Sequence, residues 1–418
     1  MRRSFLDLLA CPHCQAALGA HAHRETAAPH GSADSTGRIL EGLLICEHCS
    51  RWFPVTGELP ELLPDHLRDA ERDLAIFRQY SAELPEEVQR ACARFIPGAE
   101  AADAGAHHKS AEIGIKGRID DPDFFGPGYT APFNAGNTGF TIYLLHLFGA
   151  VVPLLDARGG DVVIDSGSGY SWTTEWLNRS GITAIGVDIC RTYLEIGIAR
   201  MGDAHPHLVV ADVEHLPVRA GCARAVLAYE SFHHVPDRPR AMREYARVLS
   251  EGGRVVLAEP GGAHETADES VSVMEKYGIL EKGMELTDVE GYASGAGLSA
   301  PTQIFLTYAK HTDLARPVVE VARQDSPLEG HIFLLRKSAD GAAAGLASVP
   351  TDPLIAATEA PRLRGQLAGV TRQLHDTQLQ LADARDSIFH MRRSAFWQLR
   401  ERWLRLRRLL PGARSSDR

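Results

Sequence analysis

Between residues 161 and 259 five short apolar runs recur, and each closes on an acidic residue. The runs are 161–165 ending in Asp165, 183–188 ending in Asp188, 207–211 followed by Asp212, 223–230 ending in Glu230, and 253–259 ending in Glu259. Helical patterns separate most of them, at 172–179, 191–200 and 238–249, and two further apolar runs follow at 303–308 and 331–336. Apolar strands alternating with amphipathic helices build βαβ units and a mostly parallel sheet covered on both faces. Such a sheet takes its ligands at the carboxyl ends of its strands, which is where these acids fall.

The first strand runs directly into a turn of small residues, Val162-Val-Ile-Asp165-Ser-Gly167-Ser-Gly169-Tyr-Ser171, and then a helix. Gly167 and Gly169 allow close approach of the backbone to a ligand, and the helix start offers unpaired N–H groups. The spacing is Asp-x-Gly-x-Gly rather than the G-x-G-x-x-G of a dinucleotide loop. A carboxylate ahead of the glycines serves an anionic pyrophosphate poorly and a cationic ligand well. Asp188 ends the second strand where an acid meets ribose hydroxyls in a doubly wound sheet, and Asp212 follows the third.

The N-terminal segment makes a separate constraint. Cys11-Pro-His-Cys14 and Cys46-Glu-His-Cys49 are two C-x-x-C knuckles, able to close a four-thiolate tetrahedral Zn²⁺ site. Such a closed site stabilises rather than catalyses, and His13 and His48 inside the knuckles read as bystanders. Seven cysteines with this spacing point to a metal and a reducing compartment rather than to disulfides.

The text around the knuckles, Leu8-Leu9-Ala10-Cys11, Leu44-Ile-Cys46 and Trp52-Phe-Pro-Val through Pro64, resembles the small zinc-ribbon family of methyltransferase activators over about residues 4–64. That resemblance implies a helper role toward a methyltransferase. The stretch 161–260 resembles the class I S-adenosylmethionine-dependent methyltransferases, small-molecule branch. It includes Ala211-Asp-Val-Glu-His-Leu-Pro217, Tyr229-Glu-Ser-Phe-His-His-Val-Pro-Asp237 and Gly252-Gly-Arg-Val-Val-Leu-Ala-Glu-Pro260. This implies a Rossmann-like α/β fold with a seven-stranded sheet whose last strand is antiparallel. It implies that Asp165, Gly167 and Gly169 line the methionine part of S-adenosylmethionine, that Asp188 binds the ribose hydroxyls, and that Asp212 and Val213 meet the adenine. The chain departs from the family where a third glycine is usual and Ser171 stands; a serine there can still cap the helix.

Methyl transfer to oxygen benefits from a general base, and His233 and His234 follow the fourth strand where an acceptor would arrive. Glu230 and Glu259 are alternative bases or acceptor-binding carboxylates, and no metal-assisted constellation stands out in the sequence. Acceptor choice is expected from the segments least like the family. One is 100–140, with Phe124, Phe125, Tyr129, Phe133 and Asn134 as a lid; the other is 261–300.

We therefore expect a zinc ribbon over 1–64, a helical and irregular connection over 65–130, a methyltransferase domain over 131–337, a linker over 338–360 and a helix over 361–410. In 363–391 apolar residues step by four and three, a coiled-coil seam for a second copy or a partner helix. In 392–410 Phe396, Leu399, Trp403, Leu406 and Leu410 form a stripe beside arginines, as in interfacial membrane helices or RNA- and partner-docking ones. The ending resembles tails of proteins of surface-polysaccharide synthesis, so a glycan joins small molecules as an expected acceptor class. With 44 Lys+Arg against 54 Asp+Glu the net charge is −10, which argues against a nucleic-acid surface. An RNA methyltransferase and a non-catalytic scaffold that holds cofactor are the competing readings. No apolar run approaches the roughly 20 residues that span a bilayer, so a cytoplasmic protein is expected, at most peripheral to the inner face of a membrane.

Overall fold

The computed structural model describes residues 1–27, 37–95, 97–98, 103, 105–114, 129–130, 132–134, 136–201, 207–262, 264–305 and 331–338. Met1–Gly345 is one compact unit, and a second unit, Leu346–Arg418, lies wholly outside the described residues. The coiled-coil seam, the basic tail and the aromatic pair Phe124-Phe125 are therefore outside them too.

The N-terminal sheet is antiparallel, in the order β1 (Gly19–Thr26), β2 (Arg38–Ile45), β3 (Trp52–Thr56), β4 (Leu59–Pro60). The knuckles precede β1 and join β2 to β3. Each closes on a left-handed residue one place past its second cysteine, Gln15 at φ 62° and Ser50 at φ 60°. Helices α1 (Ala70–Ser81) and α2 (Glu86–Cys92) belong with this sheet. Asp69 caps α1 by accepting from the Arg72 amide at 3.0 Å, and Phe77, Tyr80, Leu84 and Cys92 pack on Leu43, Ile45 and Trp52. Helix α3 (Ala106–Ile113) and the hairpin β5 (Tyr129–Thr130) and β6 (Phe133–Asn134) lead to α4 (Thr138–Leu155).

The second sheet follows the expected alternation: β7 (Val162–Ser166), α5 (Trp172–Arg179), β8 (Thr183–Asp188), α6 (Arg191–Met201), β9 (His207–Val210), β10 (Ala223–Tyr229), α7 (Arg238–Val248), β11 (Leu249–Glu259). Then come α8 (Asp268–Tyr277), α9 (Leu286–Gly295), β12 (Thr302–Phe305) and β13 (His331–Arg336). The seven strands lie in the order β12-β13-β11-β10-β7-β8-β9. All pairings among β7 to β11 are parallel, and β13 runs antiparallel to both its neighbours. The expected Rossmann-like sheet is thus the one found. The chain winds outward from β7 in one direction and from β10 in the other, so the switch point lies between those two strands.

Because side chains alternate along a strand, Val163 faces α4 and α5 with Leu147, Phe148, Val151 and Trp172, while Ile164 faces the other way toward Met242 and Tyr245 of α7. Helix α4 is 18 residues long and, at a mean hydropathy of 1.7, apolar enough to cross a membrane by length and composition. This corrects the expectation that no run approaches that limit. Its Leu144, Leu147, Phe148, Val151 and Leu155 are spent on the sheet.

The N-terminal domain covers the other face and the β9 edge. Phe5, Leu9, Leu44 and Phe53 share one core with Ile185, Val187 and Val209. Glu61 bridges Val210 in parallel, with the Leu62 amide donating to the Val210 carbonyl at 2.8 Å. Leu9 bridges Val218, and the Ala10 amide donates to the Pro217 carbonyl at 3.0 Å. An edge strand left open would offer a row of unpaired backbone groups; here a second domain occupies it.

The cysteine knuckles hold the segments that make this contact, so chelating zinc from the full chain should loosen both domains together. We expect the Leu62 amide to exchange faster with deuterium, and the melting temperature of the whole unit to fall. Unchanged Leu62 protection after complete zinc removal would disprove the coupling.

Candidate active site

Cys11, Cys14, Cys46 and Cys49 converge with all four sulfurs within 4.8 Å of one another, Cys11 to Cys49 at 3.7 Å and Cys14 to Cys46 at 3.4 Å. Four thiolates about 2.3 Å from one Zn²⁺ stand at such separations. The set fits a structural zinc, and His13 and His48 are not in it.

At the carboxyl ends of β7, β8, β9 and β10 lies a cavity of about 440 Å³. Its floor is the turn after β7. Gly167 has φ 71°, and a Cβ there would stand 2.5 Å from Ser231 Cβ, so the turns after β7 and β10 can meet only at glycine. Ser231 Oγ donates to the Ser166 carbonyl at 2.6 Å and locks that meeting. Gly169, at φ 51°, donates its amide to Asp188 Oδ2 at 2.8 Å. Ser171 starts α5 at φ 57° without a side-chain cap. The expected cap is therefore absent, and the left-handed backbone shows why a glycine suits this position.

The acids separate by role. Asp188 lies on the cavity wall with its other oxygen accepting from the Cys190 amide at 2.8 Å, and burial raises its pKa to about 6. Asp165 sits behind the wall rather than on it. Its Oδ2 accepts from Thr173 and Thr174 Oγ1, each at 2.5 Å, while Oδ1 is buried with no partner, and burial lifts its pKa to about 6 as well. Asp212 and Val213 line the far end.

Lys109 of α3, which sequence reasoning missed, is buried between Asp212, at 2.8 Å, and Glu214. Burial works to raise the Asp212 pKa, but the hydrogen bond from His215 and the Lys109 ammonium bring it below the ordinary carboxylate range. Burial and the neighbouring Asp212 push Glu214 upward. No local pattern marks Lys109, because its partners are more than 100 residues away.

At the near end stand Glu230, His233 and His234. Glu230 accepts from the Tyr143 hydroxyl at 2.8 Å, and burial with the nearby Glu259 drives its pKa to about 8. Glu259 is fully buried and is turned inward. It accepts from the Ser231 and Phe232 amides at 3.1 and 2.8 Å and pairs with His233 Nδ1 at 2.7 Å. It therefore fixes the loop and does not meet an acceptor, whereas Glu230 remains on the wall. His234 Nδ1 donates to the Leu280 carbonyl at 2.6 Å. The hairpin residue Asn134 also lines the cavity, while Phe133 is exposed.

Residues 164–257 match the family model described as a methyltransferase domain, and residues 2–58 match that of Trm112p-like proteins. Among curated relatives, methyltransferase GfsG of Streptomyces halstedii is 32% identical over 33% of this chain and 51% of its own length. Demethylmenaquinone methyltransferase of Thermobifida fusca is 33% identical over 26% of this chain and 48% of its own. The 27-O-demethylrifamycin SV methyltransferase of Amycolatopsis mediterranei is 32% identical over 25% and 41%. The chain thus spans about half the length of these relatives, or less. A solved complex between the Haloferax volcanii Trm112 methyltransferase activator and a protein described as a methyltransferase is 20% identical, with a TM-score of 0.39, over 48% of this chain and 93% of that one.

Removing the Lys109 charge leaves two carboxylates buried against each other. Lys109→Met should cost about 3 kcal/mol at neutral pH. The loss should shrink toward pH 5, because the unpaired acids then have raised pKa values and take up protons. Urea unfolding at both pH values checks the size and the sign, and an equal loss at both would contradict the pairing.

Proposed function

We propose that this chain, which carries a Trm112p-like domain followed by a methyltransferase domain, is an S-adenosylmethionine-dependent methyltransferase that methylates an oxygen of a small molecule or sugar. One observation carries this reading. A single cavity at the switch point gathers the glycine turn, Asp188, Asp212 with Val213, and, across from them, Glu230, His233 and His234.

The residues fit the cofactor. The turn has no room for a Cβ at Gly167, so backbone alone meets a ligand there. The wall is acidic, and Asp165 Oδ1 behind it is an unpaired acceptor, which suits a cation and not a phosphate. When bound, the cofactor supplies an electrophilic methyl carbon on a sulfonium. Gly167 and Gly169 would hold its methionine part over the Asp165-braced turn, Asp188 its ribose hydroxyls, and Asp212 and Val213 its adenine. The mostly apolar cleft limits water around the reacting groups and aligns the acceptor, the main contribution a protein makes to such a transfer. His233 and His234, each tied at Nδ1, keep Nε2 to accept a hydrogen bond from an acceptor hydroxyl.

Two of the relatives bear names that give small-molecule acceptors, demethylmenaquinone and 27-O-demethylrifamycin SV, which supports that class. The glycan option rests on the tail resemblance, and membrane or partner contact through 363–410 is proposed on the same sequence ground.

Incubation with methyl-labelled cofactor and fractionated cell material should place label in a small-molecule or lipid-linked sugar fraction; label in RNA would overturn the acceptor assignment. Asp188→Ala should weaken cofactor affinity in calorimetry at least tenfold and leave the zinc content unchanged, since the cysteines lie in another domain. Unchanged affinity would remove Asp188 from the ribose site.

A further inference from the structure

The acceptor end of the cleft holds more ligating chemistry than a base requires. His233 and His234 stand with ring centroids 4.0 Å apart, and Glu281, from the segment between α8 and α9, reaches both. Its Oε2 is 3.5 Å from His233 Nε2, and its Oε1 lies beside the His234 ring. The three residues offer donor atoms within 4.8 Å of one another. We propose that His233, His234 and Glu281 form a binding site for one divalent transition-metal ion.

The surroundings fix these groups as ligands are usually fixed. Glu259 Oε1 accepts from the Ser231 and Phe232 amides and Oε2 from the His233 amide; a hydrogen on His233 Nδ1 completes this set and leaves the lone pair on Nε2. The Leu280 carbonyl can only accept, so His234 Nδ1 is likewise the donor. A carboxylate or carbonyl behind each imidazole is the usual outer shell of a metal-bound histidine. Glu281 is held in place from both sides. Arg238 donates to the Gly283 carbonyl at 2.9 Å, and the Lys282 amide donates to the His233 carbonyl at 3.2 Å. His264 Nε2 pairs with Glu281 Oε2 at 2.8 Å and holds that carboxylate in place.

Charge favours the ion as well. Glu112 and Glu259 stand by the cluster with Glu281, and Arg238 is the cation beside it. An ion about 2.1 Å from each ligand keeps ligand atoms no more than about 4.2 Å apart, and Glu281 Oε2 and His233 Nε2, at 3.5 Å, already lie within that reach. Two imidazoles and one carboxylate suit Zn²⁺, Mn²⁺ or Fe²⁺ and not Mg²⁺. With His233 and His234 on the cavity wall, such an ion would meet an acceptor that carries a ligating oxygen; this last step rests on the methyltransferase reading.

Mn²⁺ separates this site from the thiolate cluster, which a hard ion avoids. Titrating the zinc-loaded full chain with Mn²⁺ should bind one ion at micromolar affinity by electron paramagnetic resonance, with pulsed spectra showing coupling to two imidazole nitrogens. Glu281→Gln, which preserves shape, should raise the dissociation constant at least tenfold while S-adenosylmethionine affinity by calorimetry stays unchanged. No binding by the wild type up to millimolar Mn²⁺, or equal affinity in both proteins, overturns the site. Mn²⁺ bound with those couplings while S-adenosylmethionine fails to bind would leave the metal site standing and remove the methyltransferase reading instead.

Discussion

Buried negative charge is the constraint around which this molecule is organised. Carboxylates gather at the ends of successive parallel strands, where low polarity makes an unpaired charge costly. Each acid has a different answer. Asp188 and Glu259 spend both oxygens on backbone N–H groups, which cost no extra side chains. Asp212 and Glu214 share Lys109. Asp165 is half answered by two threonines, and the described partner of Glu230 is the Tyr143 hydroxyl. Burial pushes the pKa of Asp165, like that of Asp188, up to about 6 and that of Glu230 up to about 8. A cationic ligand in the cleft would draw these carboxyls into their ionised form.

The N-terminal domain matters to the cleft through backbone geometry. Its Leu62 pairs with Val210, two residues before Asp212, and Glu61 together with the Thr56 carbonyl engages Arg191, three residues after Asp188. Both acid-bearing strand ends are therefore braced by one domain. The brace is itself braced, since α1 and α2 pack on its sheet and the Arg68 guanidinium lies 4.7 Å over Trp52 while bonded to Asp73. A helper domain that packs in this way acts on the cleft by fixing strand ends rather than by adding a group to it.

What could be read from the sequence was what repeats locally. The strands at 183–188 and 331–336 and the helix at 172–179 fall at their expected bounds, because each is a self-contained periodic run. The cysteine cluster was legible for the same reason. What escaped were residues whose meaning lies in a distant partner. Lys109 and Glu281 sit in the two segments, 100–140 and 261–300, that depart from the family pattern, yet nothing adjacent marks either one. Ser171 was legible as a departure, but its left-handed backbone, and so the reason glycine suits the place, is a property of the turn alone. Glu259 looked like a cleft carboxylate from its position at a strand end. The register of the loop after β10 turns it inward.

Helix α3 connects the two ends of the cleft. Lys109 and Glu112 are three residues apart and so share one helical face. Lys109 answers the acids at the far end, and Glu112 Oε1 stands 3.8 Å from His234 at the near end. The helix is held on both flanks, by His108 Nδ1 on the Gly278 carbonyl at 2.7 Å and by Gly105 against Pro236, where a Cβ would come within 2.4 Å. Its position thus depends on the loop that carries the histidines and on the segment that carries Glu281. A shift of α3 to admit a different acceptor would move Lys109 with it, and with Lys109 the charge balance at Asp212. Acceptor choice and cofactor affinity are therefore coupled through a single helix, and substitutions on its inner face should not act additively.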